Sequence, residues 1–294
     1  MSDGGSPWPG PTLRGGVRPD PHRRPPAGSA AFFDLDKTII AKSSTLAFSR
    51  PFFYGGLINR RSVLRSAYAQ FMFALQGADH DQMEKMRAYL ADLCTGWPVQ
   101  TVRDIVGETL HTIIDPLVYD EAVTLIDEHH AAGRDVVIVS SSGSEVVEPV
   151  GEMLGADHVI ATRMVEENGR YTGAVGFYAY GDNKAEAIRD LARACGYDLA
   201  ASYAYSDSET DAPMLRAVGH PFAVNPDRAL RRIAGAEGWT VLEFTRPVAL
   251  QQRRGLESPA TRAAFAAVGA GLVTAGVVAW RIRRRDRRHD RRPA

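Results

Sequence analysis

Cysteine is scarce in this chain, with two in 294 residues, Cys94 and Cys195. Neither has a second thiol or a histidine at metal-ligand spacing, so a cysteine-built zinc site and a multi-bridge framework are both excluded. One disulfide stays open, but two free thiols in a reducing compartment is the simpler reading. Net charge is missing as well, with 35 basic residues against 35 acidic ones. The balance is uneven, because residues 281–294 hold eight Arg and two Asp. The rest is therefore net acidic and offers no basic face for nucleic acid, which is not expected as a partner. An N-terminal apolar run is also absent: residues 1–29 contain seven Pro and six Gly and no signal-peptide core. Such a segment buries too little to order itself and is predicted to be a disordered leader, consistent with a cytoplasmic protein.

What is there reads as a folded α/β protein. Apolar residues make up 45% and charged residues 24%, ordinary values for a globular chain. Short apolar runs at 31–35, 136–139, 158–161, 203–205 and 221–224 predict strands. Helical stretches at 144–154, 183–195, 209–218 and 227–236 separate the later ones. Alternation of this kind predicts a Rossmann-like, mainly parallel sheet wrapped by helices, with chemistry at the carboxyl ends of the strands. Residues 44–115 carry helical periodicity and no clear strand, which predicts an inserted helical cap. Asn168-Gly169 predicts a hairpin turn. The expected division is a leader at 1–29, a core at 30–43 and 116–245, a cap at 44–115 and a linker at 246–262.

Reactive residue types gather at the predicted strand ends. Asp34 and Asp36 follow the first apolar run. Two carboxylates so close resist ionising together unless a cation sits between them, and hard cations such as Mg²⁺ prefer their oxygens. Taken alone the pair also fits an N-cap or a solvated turn. Ser140 ends the second core strand and offers a hydroxyl beside helix N-terminal amides, although serine there is also an ordinary cap. Lys184 opens a helix, where a cation opposes the dipole. Asp207 and Asp211 form another acidic cluster after an apolar strand.

In this order, Asp34-Leu35-Asp36-Lys37-Thr38, then Ser140, Lys184 and Asp207 through Asp211, the chain resembles the haloacid dehalogenase-like (HAD) phosphohydrolases. The helical insert after the first motif is similar to the phosphoserine-phosphatase-like branch with a C1-type cap. The resemblance implies a Mg²⁺-dependent phosphomonoesterase; its expected substrate is a small phosphorylated metabolite or, on the strength of the C-terminal stretch described below, a lipid headgroup. Asp34 would be the nucleophile that forms an aspartyl-phosphate, and Asp36 the proton donor and acceptor. Asp34, Asp36 through its carbonyl, and Asp207 would bind the metal. Ser140, Lys184 and Thr38 would serve the substrate phosphate, Thr38 by fixing the first loop. Asp211 would orient the metal site or Lys184. Two departures stand out. Ser43 occupies the place, nine residues beyond Asp34, where phosphoserine phosphatases carry a Glu that meets the substrate amine. Lys37 replaces a small residue. Phosphoserine is therefore the second candidate, and a retired, tethered binding protein the third.

Residues 263–280 form an uncharged stretch of eighteen, long enough for the lower bound of a bilayer span. A hydrophobic helix there, with small residues Ala267, Gly271, Ala275 and Ala279 on one stripe, suits close pairing and a homodimer. The Arg-rich tail at 281–294 adds attraction to an anionic membrane surface, predicting association with the inner face of the cell membrane.

Overall fold

The computed structural model describes residues 28–58 and 91–247. The hydrophobic helix, the Arg-rich tail, most of the leader and linker, and residues 59–90 of the expected cap lie outside the described residues. Among the described residues, no helix is long and apolar enough to cross a membrane.

Strand β1 (Ala30–Phe33) is buried along its whole length, as a central strand covered on both faces must be. It pairs in parallel with β2 (Asp135–Gly143) on one side and β5 (Tyr203–Ser206) on the other. Beyond β2 lie β3 (His158–Glu167) and β4 (Arg170–Phe177), and beyond β5 lie β6 (His220–Val224) and β7 (Thr240–Leu242). The seven-stranded order is β4-β3-β2-β1-β5-β6-β7, parallel except for the β3–β4 hairpin. The hairpin turns at Asn168 and Gly169, both with positive φ (51° and 73°), the conformation such a two-residue turn demands.

Eight α-helices lie wholly within the described residues: α1 (Ser44–Ala47), α2 (Ser49–Tyr54), α3 (Val99–Ile114), α4 (Asp120–Ala131), α5 (Ser144–Leu154), α6 (Asp182–Cys195), α7 (Ala212–Arg216) and α8 (Arg228–Glu237). The expected helix at 209–218 is instead a 3-10 turn, Glu209–Asp211, followed by the short α7. Pro213 in the first turn supplies no N–H, and Asp211 points its side chain into the core (below). β7 went unpredicted because three edge residues leave no periodic signal. Both cysteines are free, as the spacing suggested.

A second small core forms where Val99, Val102 and Tyr171 meet Phe52, Trp97 and Met164. Backbone bonds stitch the chain entering α3 to the hairpin: Gly96 N–H to Tyr171 O (2.8 Å), Tyr171 N–H to Trp97 O (3.1 Å) and Val99 N–H to Gly169 O (3.0 Å). The Arg170 guanidinium adds a bond to the Gly96 carbonyl (2.7 Å).

Beneath the sheet, His129 is 3% exposed and held on both ring nitrogens. Arg134 Nε donates to its Nδ1 (2.7 Å), so Nε2 carries the proton and donates to the Tyr205 hydroxyl (2.8 Å). Burial, then the Arg134 and His130 charges, push its pKa from 6.5 down to about 4. Below its ordinary value the unfolded chain takes a proton that the fold refuses. Stability should therefore fall with pH between about 6.5 and 4, by at most about 1.4 kcal/mol per pH unit. Thermal melts across this range check it: the slope should shrink in His129→Gln, and an unchanged slope would remove His129 as its source.

Candidate active site

The register of the sheet sets the site. Phe33 pairs with Ile138 and with Tyr205. Asp34 is thus the first residue past β1, with Ser140 on β2 and Asp207 past β5 on its two flanks. The order of strands reverses direction about β1, which is where open α/β sheets carry their chemistry. Asp34 stays tied to the sheet by its N–H bond to Tyr205 O (2.9 Å).

Lys184 reaches this point from the first turn of α6. Its ammonium donates to Asp34 Oδ1 (2.7 Å) and to Asp211 Oδ2 (2.7 Å), and Ser206 Oγ donates to the same Asp211 oxygen (2.7 Å). All three charged groups are nearly sealed, with Lys184 and Asp211 each 2% exposed and Asp34 6%. Burial pushes Lys184 toward neutrality, but the Asp211 and Asp34 carboxylates outweigh it and hold the proton on. For Asp34, burial pushes the pKa up to about 8; Lys184 opposes the rise, and the Asp211 and Asp207 charges add to it. Asp207 is raised to about 6 by burial, with Lys37 the strongest opposing charge. Three carboxylates therefore share one buried ammonium, an arrangement short of positive charge.

Asp36 is held differently. Its Oδ1 accepts the Ser44 N–H at the start of α1 (2.9 Å). Its Oδ2 accepts the Ser43 and Ser142 hydroxyls (3.3 and 3.2 Å). Ser142 Oγ also meets Ser44 Oγ (2.8 Å). Ser43, singled out above for the carboxylate it lacks, is thus a donor to Asp36. Ser43, Ser44 and Ser142 were missed as site residues, since hydroxyls in serine runs read equally well as caps. Ser140 is fully buried and accepts the Ser142 N–H (3.2 Å), bracing the same turn. Lys37, between the two aspartates and Thr38, has φ 63°, a left-handed conformation suited to the small residue it replaces. Thr38 holds the loop through its backbone, donating to Leu35 O (3.4 Å). Its hydroxyl is buried with no hydrogen-bond partner among the described residues, a donor that a phosphoryl oxygen or a water would satisfy.

Beside Asp36 opens a cavity of about 460 Å³. Ser43, Ser142 and Gly143 form its rim toward the aspartates, and Phe52, Trp97, Val102, Met164 and Tyr171 are among the side chains of its wall. Glu145, in the first turn of α5, also lines it. No three His, Cys, Asp or Glu side chains among the described residues close on one point as a self-contained metal cage. Asp34 and Asp207 nevertheless offer hard oxygen donors in a spot where three carboxylates share one buried ammonium. That donor chemistry fits Mg²⁺, which commonly takes one or two carboxylates and completes its shell with water and phosphate.

Comparison with known proteins agrees with this geometry. The sequence profile of the haloacid dehalogenase-like hydrolase family matches residues 31–216. A protein of Streptomyces azureus named for inhibition of morphological differentiation is 66% identical over 261 residues, covering 87% of this chain and 94% of the relative. A probable phosphatase of Mycobacterium tuberculosis is 59% identical over 261 residues, covering 89% of this chain and 91% of the relative. A phosphoserine phosphatase of the same organism is 34% identical over 227 residues, covering 76% and 73%. Among solved structures, a protein of unknown function from Bordetella pertussis superposes with a TM-score of 0.65 at 28% identity, covering 74% of this chain and 98% of that one. A phospho-aspartyl intermediate analogue of phosphoserine phosphatase shares the fold, with a TM-score of 0.53 at 19% identity, covering 75% and 95%. The chain belongs to the haloacid dehalogenase-like hydrolases, and within them it is a phosphatase.

Proposed function

We propose that this phosphatase hydrolyses a small phosphomonoester, a metabolite or a lipid headgroup, in two steps through a phosphorylated Asp34, with Mg²⁺ bound. The observation that carries the reading is the buried Lys184 contact on Asp34 (2.7 Å) next to an Asp36 carboxylate fixed by three donors. An Asp34 oxygen attacks phosphorus while the bond to the leaving alcohol oxygen breaks, and Asp36 gives that oxygen its proton. Water then attacks the phosphorus, Asp36 takes its proton, and Asp34 and inorganic phosphate are released. Lys184 and Ser140 serve the phosphoryl oxygens, and Asp211 positions Lys184. Asp34, Asp207 and the Asp36 carbonyl would hold Mg²⁺, which when bound neutralises phosphoryl charge so that an anionic nucleophile can approach.

Phosphoserine is the second reading, favoured by the 34% identical relative of that name. Against it stands Ser43, whose hydroxyl bonds Asp36 and supplies no charge for an ammonium.

Acid quench during turnover of a radiolabelled aryl phosphate should trap the label on Asp34. Chelation should abolish release of phosphate and Mg²⁺ restore it. Label on Ser140 or a histidine would overturn the nucleophile, and full turnover under chelation would overturn the metal.

A further inference from the structure

The cavity beside Asp36 is where a leaving group would sit, because Asp36 is the group proposed to protonate it. Its charges are one-sided. Asp36 and Glu145 line it, and no Lys, Arg or His does so among the described residues. Its aromatic content is high, with Phe52, Trp97, Tyr171 and Tyr178 on the wall and the Phe52 and Trp97 rings 5.8 Å apart. Tyr171 shares the cavity wall with Glu145, and burial together with the Glu145 charge holds its phenol neutral. The Cys94 thiol is likewise pushed up to about 12, by burial first and by Glu145 second, so it adds no competing anion. Glu145 is thus a carboxylate in an aromatic cavity, with no cationic side chain among the described lining residues.

Resting on the phosphatase reading above, we infer that the substrate's leaving group carries a positively charged nitrogen on an apolar body, and that Glu145 is the residue that selects it. A carboxylate attracts an ammonium directly, and ring faces attract it through their quadrupoles. A leaving group bearing a carboxylate or a second phosphate would meet the Glu145 charge and no cation among the described lining residues, a repulsion that works as selection against it. The volume of about 460 Å³ suits a body of one aromatic ring or a short branched chain. Glu145 thereby supplies, from α5, a charge that Ser43 does not.

Three primary esters of one shape test this: phenylalaninol phosphate with an ammonium, 3-phenylpropyl phosphate with none, and the phosphate ester of 2-benzyl-3-hydroxypropanoate with a carboxylate in the ammonium's place. For the wild type, kcat/KM should favour the ammonium ester over the neutral one by at least about tenfold, the worth of one modest charge contact. The carboxylate ester should fall below both. The preference should collapse toward unity in Glu145→Gln, chiefly through KM, and persist in Glu145→Asp. Because the result is a ratio within each variant, a general loss of fold or turnover does not imitate it. Hydrolysis of the neutral ester reports separately on the phosphatase reading. Equal constants for the ammonium and neutral esters, preference for the carboxylate ester, or an undiminished ratio in Glu145→Gln would each overturn the inference and leave that reading standing.

Discussion

Asp34→Asn is expected to lower turnover on an activated aryl phosphate by at least about a hundredfold, roughly 2.7 kcal/mol in barrier. The amide keeps the volume and the N–H bond to Tyr205 O, so the sheet beneath is undisturbed. It removes the charge that would attack phosphorus and one oxygen that would hold Mg²⁺. Steady-state kinetics on purified protein decide the matter, and turnover close to wild type would end the nucleophile assignment.

Lys184→Met should damage stability as well as activity. The lysine is 2% exposed and is bonded to two carboxylates that are nearly as deep. Methionine fills the space but leaves Asp34 and Asp211 facing each other without a counter-charge, and breaking such a buried pair costs about 3–5 kcal/mol. The direction with pH follows from which species is costly. The penalty is greatest where Asp34 is ionised and shrinks as pH falls through about 8, the value to which burial raises that group, because a proton removes the uncompensated charge. Denaturant unfolding of wild type and variant at alkaline pH, above about 8, and at neutral pH should show the gap narrowing toward neutrality. A variant as stable as wild type at alkaline pH would mean that the ammonium contributes no net stabilisation to the site.

The parts of this protein that could be read in advance were those where local chemistry and global position agree. The Ala30–Phe33 run is apolar on both faces because β1 is covered on both. Asn168-Gly169 needs positive φ twice, and few other sequences tolerate it. Asp34 and Lys184 lie 150 positions apart, yet each stands at a predicted strand end or helix start, so their meeting could be anticipated. The brace around Asp36 could not. Ser142 reaches it across 106 positions, and a serine carries no mark of whether its hydroxyl caps a helix or holds a carboxylate. Glu145 was equally silent, since an acid in a first turn is what the helix dipole alone would favour. Helix 209–218 was misread because Asp211 is spent on Lys184 instead of on regular helix.

The ladder between residues 96–99 and the β3–β4 hairpin bears on how a guest is chosen. Tyr171 donates its N–H to Trp97 O and accepts the Gly96 N–H, and Trp97 and Tyr171 both line the cavity. Main-chain ladders of this kind do not slide by fractions of a residue; they hold register or break. The aromatic wall opposite Asp36 is therefore cast before any ester arrives, more mould than glove. Molecules of the wrong outline are turned away by a shape already set, and the cost of ordering that wall is met during folding and not again at each turnover.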